Sequence, residues 1–506
     1  MNTLVGNIRL TDSQQTALDK ILAFLRMDGQ RAFILKGYAG TGKTTLVKAI
    51  IQRFAEDSID FTLLASTGRA AKILSDVIRE QEHHADGDAE RGSAFHPLAK
   101  TIHSQIYKFE DINQELDLFG QPALNSELAT DKGVKFVFRL SSRSLDAPET
   151  VYIIDESSMI SDSEDHSLSF AQYGAEGKLL SDLFKYDPDG KFLFIGDDGQ
   201  LPPVTSQNFS PALNADYLQK KFKIPVASAE LKEVMRQADG NDIVFSAEKV
   251  RKIAATPASG PCALFPLRGY QHIHILDSEI DLLQHYFQSI KEKDYTKSTL
   301  IVFSNRRVSS ISEIIRPALG FKGREIEVGD LLLVTQNNMI SGLMNGDLVK
   351  VTQIGRREKR AGLTFVYVEV MALSTNLRYS QLLIEEVLHG GGTNLSQAQQ
   401  THLLLDFHIR MRNEKIKQHS SEYNDRLRTD EYLNALRCIF GYALTCHKAQ
   451  GGEWDNVYLI IPRNLPYRDP RSYVFQWIYT AMTRAKKELY IINDYWVKPP
   501  SFFRNI

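Results

Sequence analysis

The sequence predicts an α/β protein whose parallel sheets are covered by helices. Strand and helix patterns alternate between residues 11 and 75, and a second strand-to-helix pattern begins at "STLIVFSNRRVSSISEIIRPAL". Short apolar runs also end in carboxylates at "VYIIDE" and "FLFIGDD". An uninterrupted apolar strand is buried on both faces, as parallel sheets require, and ligands of such sheets gather at the carboxyl ends of the strands.

Taken in order, the spacing predicts an amphipathic helix near Gln14 to Arg26, a strand at Arg31 to Leu35, a helix after Lys43 and a strand at "FTLLAS". The segment "EQEHHADGDAERG", Glu80 to Gly92, reads as a polar loop with solvated His83 and His84. A mixed segment from Ser104 to Pro148 precedes the two carboxylate-ended strands. Later, "VGDLLLVTQNN", "NGDLVKVTQIG" and "LTFVYVEVMAL" read as closely spaced strands separated by turn residues, which predicts a small β-barrel inserted in the second half. Leu395 to Leu436 reads as a helical arm with Leu403, Leu404, Phe407 and Met411 along one side. Strands at "VYLII" and "ELYIIND" complete the second half, and "WVKPPSFFRNI" is too short and proline-broken for structure of its own.

"FILKGYAGTGKTTLVKAI", Phe33 to Ile50, carries the strongest chemical signal. Gly37, Gly40 and Gly42 lack a Cβ, so the backbone can bend tightly and turn its N–H groups toward anionic oxygens. Lys43 reaches the β and γ phosphates, the Thr44 hydroxyl can ligate Mg²⁺, and the following helix adds the positive end of its dipole. With Ala39, Thr41 and Thr45 these residues predict a nucleoside triphosphate site. Asp155 and Glu156 end a buried strand, where Asp155 would hold Mg²⁺ and Glu156 would orient or deprotonate the attacking water. A carboxylate so placed implies hydrolysis. Gln200 in "FIGDDGQLPPV" is a neutral amide suited to sensing a γ-phosphate.

Bulk properties exclude several classes. With 506 residues, 43% of them hydrophobic and 24% charged, the chain suits about three globular domains. A net charge of −2 gives no global basic signature, so a nucleic-acid partner must be held in a local groove. Three scattered cysteines, Cys262, Cys438 and Cys446, form neither a disulfide framework nor a zinc site and suit a reducing cytoplasm. No apolar run approaches the roughly 20 residues of a membrane span.

An ordered set of motifs then resembles superfamily 1 DNA helicases of the subgroup typified by RecD and phage Dda proteins. "LTDSQ" with Gln14 resembles the adenine-contacting glutamine motif, and "GYAGTGKT" is the P-loop. "ASTGRAAK" and "TIHS" resemble strand-contacting motifs; "DESSM", "GDDGQLPPV" and "LKEVMRQ" with Arg236 follow, and "YALTCHKAQGGEWD" and "YTAMTRAKKELYI" resemble the last two helicase motifs. The set spans Thr11 to Ile492.

The resemblance implies two RecA-like domains with ATP in the cleft between them and single-stranded or forked DNA across both. The first domain would comprise 1–103 and 149–235, interrupted by a pin-like element at 104–148; the second 236–327 and 437–495, interrupted by the barrel at 328–394 and the arm at 395–436; 496–506 is a tail. Arg236 and Arg484 would act as arginine fingers, Gly451 and Glu453 would join the ATP contacts, and Thr67, His103, Asn305, Thr445, His447 and Lys448 would meet DNA. His103 also reads as a capped core histidine and Asn305 as a turn former. Phe119, beside the turn formers Gly120 and Pro122, is either the wedge at a fork or an anchor for its loop, and Phe109, Phe136 and Phe138 also read as exposed aromatics of the same element. Two departures stand out: Tyr38 replaces a common P-loop proline, and Gly452 stands where a serine is frequent. The activity implied is an ATP-dependent helicase, a cytoplasmic monomer moving 5′ to 3′ in DNA repair, recombination or replication, alongside repair or nuclease proteins. A translocase that displaces proteins without parting strands, and a nucleotide-dependent DNA-binding switch, are the alternatives.

Overall fold

The first helix, Asp12–Leu25, is fixed at its start by its own sequence. Thr11 Oγ1 accepts the Gln14 N–H at 3.3 Å and the Thr11 N–H donates to Gln14 Oε1 at 3.0 Å, a reciprocal cap that satisfies two backbone donors with no other partner. The computed structural model of the chain describes residues 4–5, 8–85, 99–113, 135–142, 150–164, 171–173, 177–204, 209–233, 241–255, 265–390, 392–418, 420–462, 471–493 and 497.

Six parallel strands form the first sheet, in the order Val226–Leu231, Ala32–Gly37, Lys191–Gly196, Val151–Asp155, Phe61–Ala65 and Lys100–Thr101. Side chains alternate between its faces, and both faces are buried. Phe33, Leu35, Leu63, Ile153, Leu193 and Ile195 pack against the helices Asp12–Leu25 and Lys43–Glu56. Ile34, Leu64, Tyr152, Ile154, Phe192 and Phe194 pack against Leu179–Tyr186 and Ala215–Phe222. This is why these strands read as continuous apolar runs.

A second, five-stranded parallel sheet runs Ile273–Leu276, Ala485–Ile492, Trp454–Leu459, Ser298–Val302 and Leu444–Thr445. Between its strands lies an antiparallel five-stranded sheet: Arg378–Ile384, Leu363–Ala372, Leu348–Arg360, Leu331–Val334 and Cys438–Phe440. Just before its last strand, Leu436 donates to the Leu382 carbonyl at 2.7 Å and accepts from the Ile384 N–H at 3.0 Å. The first strand in this order thus meets the chain leading into the last, and the sheet curls toward the expected barrel. The barrel takes Cys438–Phe440 from beyond the arm, outside the span 328–394 read from the sequence. The arm is two helices, Gln397–Asn413 and Ser421–Thr429, and Leu403, Leu404, Phe407 and Met411 are its buried stripe.

Two local expectations are corrected. Residues 80–85, read as loop, continue the helix Gly68–Ala85, because a solvated helix can be as polar as a loop; residues 86–92 lie outside the described residues. The element at 104–148 contains an antiparallel hairpin, Tyr107–Asn113 with Lys135–Leu140, joined in parallel by Ala171–Tyr173. Phe138, read as exposed, is half-buried at the hairpin root and stacks on Tyr173 at 5.2 Å between ring centroids. Phe119 lies outside the described residues.

A buried ion pair roots the barrel. Arg316, on the helix Asn305–Ala318, makes two 2.9 Å bonds to the fully buried Asp330 and donates to the carbonyls of Gly323 and Glu325, each at 2.7 Å. Asp330 also accepts from Tyr442 Oη and the Glu327 N–H, both at 2.7 Å. Every acceptor is used, so removing the carboxylate strands a buried guanidinium. Asp330→Ala is expected to destabilise the protein by about 3–5 kcal/mol, read as a lower urea midpoint, whereas the exposed pair Lys487–Asp455 is expected to contribute less than about 1 kcal/mol.

Candidate nucleotide and nucleic-acid site

The phosphate loop bends as its glycines require. Gly40 and Gly42 take φ of 79° and 74°, in the left-handed region that a Cβ disfavours, and Gly42 is the residue that opens the helix Lys43–Glu56. A Cβ on Gly37 would come within 2.8 Å of Lys43 Cγ and Thr41 Oγ1, so the cradle closes only around glycine. Lys43 Nζ donates to the Gly37 and Tyr38 carbonyls at 2.7 and 3.1 Å. Gln14 is buried beneath the loop, where its amide Nε2 reaches the carbonyls of Thr41 at 3.4 Å and Gly42 at 3.3 Å. One end of this amide therefore supports the loop from below, while its Oε1 caps the helix Asp12–Leu25. Thr44 and Thr45 are exposed in the first turn of the helix.

Tyr38, where proline is common, is held from two sides. Its hydroxyl bonds Glu230, and the Arg251 guanidinium lies over its ring at 3.3 Å. A ring clamped by a cation and a carboxylate restrains the turn that proline would otherwise have stiffened.

Asp155 and Glu156 leave the strand Val151–Asp155 together. Asp155 Oδ1 accepts the Glu156 N–H at 2.8 Å, and Glu156 holds a left-handed φ of 51°. That backbone is sparsely populated outside glycine, and such strain gathers at functional sites. Burial pushes both carboxyls above the usual carboxylate range; the neighbouring Asp155 charge raises Glu156 further, while Lys43 opposes both shifts. A third carboxylate, Asp197, was not among the residues singled out from sequence. It is fully buried, with its proton affinity raised by burial, and accepts the Gly199 N–H at 2.9 Å and Tyr479 Oη at 2.7 Å. Tyr479 Oη in turn accepts the P-loop N–H of Ala39 at 3.0 Å. Gln200 is buried beside it, and its Oε1 has no hydrogen-bond partner among the described residues.

The second sheet supplies the opposite wall. Arg484 is buried, donating to the Thr480 carbonyl at 3.1 Å, the Gly452 carbonyl at 3.3 Å and Thr483 Oγ1 at 3.1 Å. A cleft of about 600 Å³ between the walls is lined by Thr44, Asp155 and Glu156 on one side and Gly451, Glu453 and Arg484 on the other, with Arg69 and Trp454 at the junction. Six sequence-selected residues thus meet in one cavity. Arg236 lies outside the described residues. The donor set suits Mg²⁺, which takes one or two protein oxygens and leaves its remaining positions to phosphate and water. Thr44 and Asp155 would hold it here.

The residues selected for DNA share one topological edge. Thr67 follows the strand Phe61–Ala65, His103 follows Lys100–Thr101, Asn305 follows Ser298–Val302, and Thr445, His447 and Lys448 end or follow Leu444–Thr445. These are the two outermost strands at one side of each sheet. Asn305 is exposed in the first turn of its helix, whereas His103 packs on Tyr107 and Tyr173 at 5.9 and 5.3 Å. Burial pushes the His447 imidazole down to about 4 and the Lys448 amine down to about 8, so His447 is neutral at physiological pH.

Two family models match the chain in sequence: an AAA domain over residues 9–258 and a UvrD-like helicase C-terminal domain over residues 440–492. The RecBCD enzyme subunit RecD of Buchnera aphidicola is 23% identical, covering 94% of this chain and 72% of its own length. The ATP-dependent RecD2 DNA helicase of Deinococcus radiodurans is 23% identical, covering 95% of this chain and 48% of its own. A Pif1 helicase from Bacteroides, solved with ADP-AlF3 and single-stranded DNA, aligns over 97% of this chain and 94% of that chain at 16% identity and a TM-score of 0.46. The chain spans between 38% and 72% of the length of the curated relatives that match most of it. With the AAA-domain match first, the UvrD-like helicase match last and RecD relatives aligned along nearly the whole chain, the chain is similar to RecD-type helicases from one end to the other of its described sheets.

Proposed function

We propose that this chain is an ATP-driven motor that moves along single-stranded DNA and separates duplex strands at a fork. One observation carries the reading: a single cleft joins Thr44, at the end of the phosphate loop, and the paired carboxylates of one parallel sheet to the buried Arg484 of the other. When bound, Mg²⁺ would neutralise charge on the β and γ phosphates. Lys43 pairs with the same phosphates, and Glu156 orients the attacking water and takes up its proton, for which its raised proton affinity suits it. Arg484 stabilises charge on the transferring group from the second domain, so hydrolysis depends on how the two walls sit. Gln14 and Gln200 complete the nucleotide contacts, and Arg236 is a second arginine finger in this reading.

The DNA residues lie at the carboxyl edges of strands in both sheets, so a change in the cleft alters the spacing between two grips on one strand. We further infer 5′ to 3′ movement, a monomeric motor, a cytoplasmic setting, and a role in DNA repair, recombination or replication alongside repair or nuclease proteins. These inferences rest on the resemblance to RecD-type helicases.

Lys43→Ala is expected to abolish turnover, while Glu156→Gln retains ATP binding without hydrolysis; normal turnover in Glu156→Gln removes it as the base. Arg484→Ala is expected to slow hydrolysis by roughly 10³-fold or more with ATP affinity little changed. Single-strand affinity should tolerate sequence and fall with salt, with a log-log slope of roughly −0.7 per phosphate neutralised. ATP turnover measured with and without single-stranded DNA, beside unwinding of duplexes carrying a 5′ or a 3′ tail, tests the whole reading. Turnover indifferent to DNA defeats the motor, and unwinding confined to 3′ tails reverses the polarity.

Phe119, in this reading, is the wedge. Opening a base pair costs on average roughly 1.4 kcal/mol of stacking, and an aromatic ring stacked on a base returns roughly 1–3 kcal/mol. Phe119→Ala is expected to keep DNA-stimulated hydrolysis and lose most duplex unwinding. Equal loss of both, with a lower melting temperature, identifies an anchor instead.

A further inference from the structure

Gly452 separates two guanidinium groups. On one side its carbonyl accepts Arg484 Nη1 at 3.3 Å. On the other its Cα faces Arg69, from the first turn of the helix Gly68–Ala85: a Cβ on Gly452 would lie 2.5 Å from Arg69 Nη2 and 2.6 Å from Cζ. The same Cβ would come within 2.6 Å of the Trp454 ring, over which the Arg69 guanidinium sits at 4.7 Å. The serine frequent at position 452 is therefore sterically incompatible with Arg69 in this place. Glycine here gives room to an arginine.

Arg69 is not spent on structure. Its Nη1 is buried and has no hydrogen-bond partner among the described residues, although a guanidinium offers five donors. The nearby carboxylate, Asp347, is engaged by the Met344 N–H at 2.9 Å and lies 3.9 Å from Lys72. Arg69 lines the same cavity as Thr44, Asp155, Glu156 and Arg484. Two guanidiniums set on either side of one glycine repel, and an anion in the cavity they both line relieves that repulsion.

Resting on the ATP reading above, we propose that Arg69 binds the terminal phosphate of the nucleoside triphosphate from the first-domain side, opposite Arg484. Arg69 lies two residues from Thr67, whose Oγ1 caps the same helical turn by accepting the Ala70 N–H at 3.2 Å. A phosphate contact and a DNA contact thus share one rigid turn. Occupancy by the triphosphate, but not the diphosphate, is felt at the strand-contacting residue.

The test uses Arg69→Met, which keeps an unbranched stem over Trp454 and removes the charge. The affinities of a non-hydrolysable ATP analogue and of ADP are measured by titration, with and without a single-stranded oligonucleotide. The analogue should bind about tenfold or more weakly, the loss of one charge-assisted hydrogen bond, with ADP affinity unchanged and with oligonucleotide no longer raising analogue affinity. Gly452→Ala, which displaces the guanidinium without removing it, should give the same selective loss. Unchanged affinity for both nucleotides in Arg69→Met, or an equal loss of both with a lower melting temperature, overturns the assignment. Should the unaltered protein bind neither nucleotide, the ATP reading itself fails, an outcome distinct from failure of Arg69 alone.

Discussion

One hydroxyl group ties the two parallel sheets together at the site of chemistry. Tyr479, on a helix of the second domain, accepts a backbone N–H from the phosphate loop and donates to the buried Asp197 of the first domain. The phenol is fully buried and its proton is held far more tightly than usual, chiefly because burial penalises the phenolate and then because Asp197 lies beside it. A neutral phenol that both donates and accepts satisfies two groups that would each be expensive to bury alone. Neighbouring contacts reinforce the seam: the Leu201 N–H donates to Thr480 Oγ1 at 2.8 Å, and Gln450 Nε2 reaches the Leu201 carbonyl at 3.3 Å. The walls of the cleft owe their mutual placement to this short run of buried polar contacts, and the position of Arg484 follows from it.

That dependence explains why the catalytic set divides as it does. The groups proposed to bind phosphate belong to one continuous loop, strand edge and helix of the first sheet, where backbone geometry alone positions them. Arg484, proposed to answer the charge of the reacting phosphate, comes from an element that reaches the cleft only across the seam. Glu156 pays for its strained backbone with the rigidity of the strand behind it, and the Ser66 hydroxyl steadies the Glu156 carbonyl at 2.9 Å.

Much of this was legible in the sequence, for a physical reason. Phosphate binding by a loop requires glycines, a lysine and a hydroxyl at fixed spacing, and carboxylates at the end of an apolar strand announce their own position, so Lys43, Thr44, Asp155 and Glu156 could be read directly. The buried stripe of Leu403, Leu404, Phe407 and Met411 followed from helical period. The pairs that govern the seam left no such trace: Tyr479 and Asp197 are 282 residues apart, and Arg69 meets Gly452 only once the domains are assembled. The departure at Gly452 was visible, but its cause was a residue in another domain. Residues 80–85 were misread because composition cannot separate a solvated helix from a loop.

The strand Cys438–Phe440 gives the barrel a property that an ordinary insertion lacks. After this strand only Gly441, Tyr442 and Ala443 intervene before the strand Leu444–Thr445 and the segment that ends at Gly451 and Gly452. Gly441 is packed so closely on Leu348 and Leu332 that a Cβ would come within 2.9 Å of the former, and Tyr442 is anchored to the Arg316–Asp330 pair, so the connection has little slack. The barrel therefore lies in series with the nucleotide cleft, like a link in a chain rather than a pendant hung from it. A lineage could lengthen or shorten its outer turns freely, but could not exchange the barrel for a short linker without also rebuilding the strand that leads to Gly451 and Gly452.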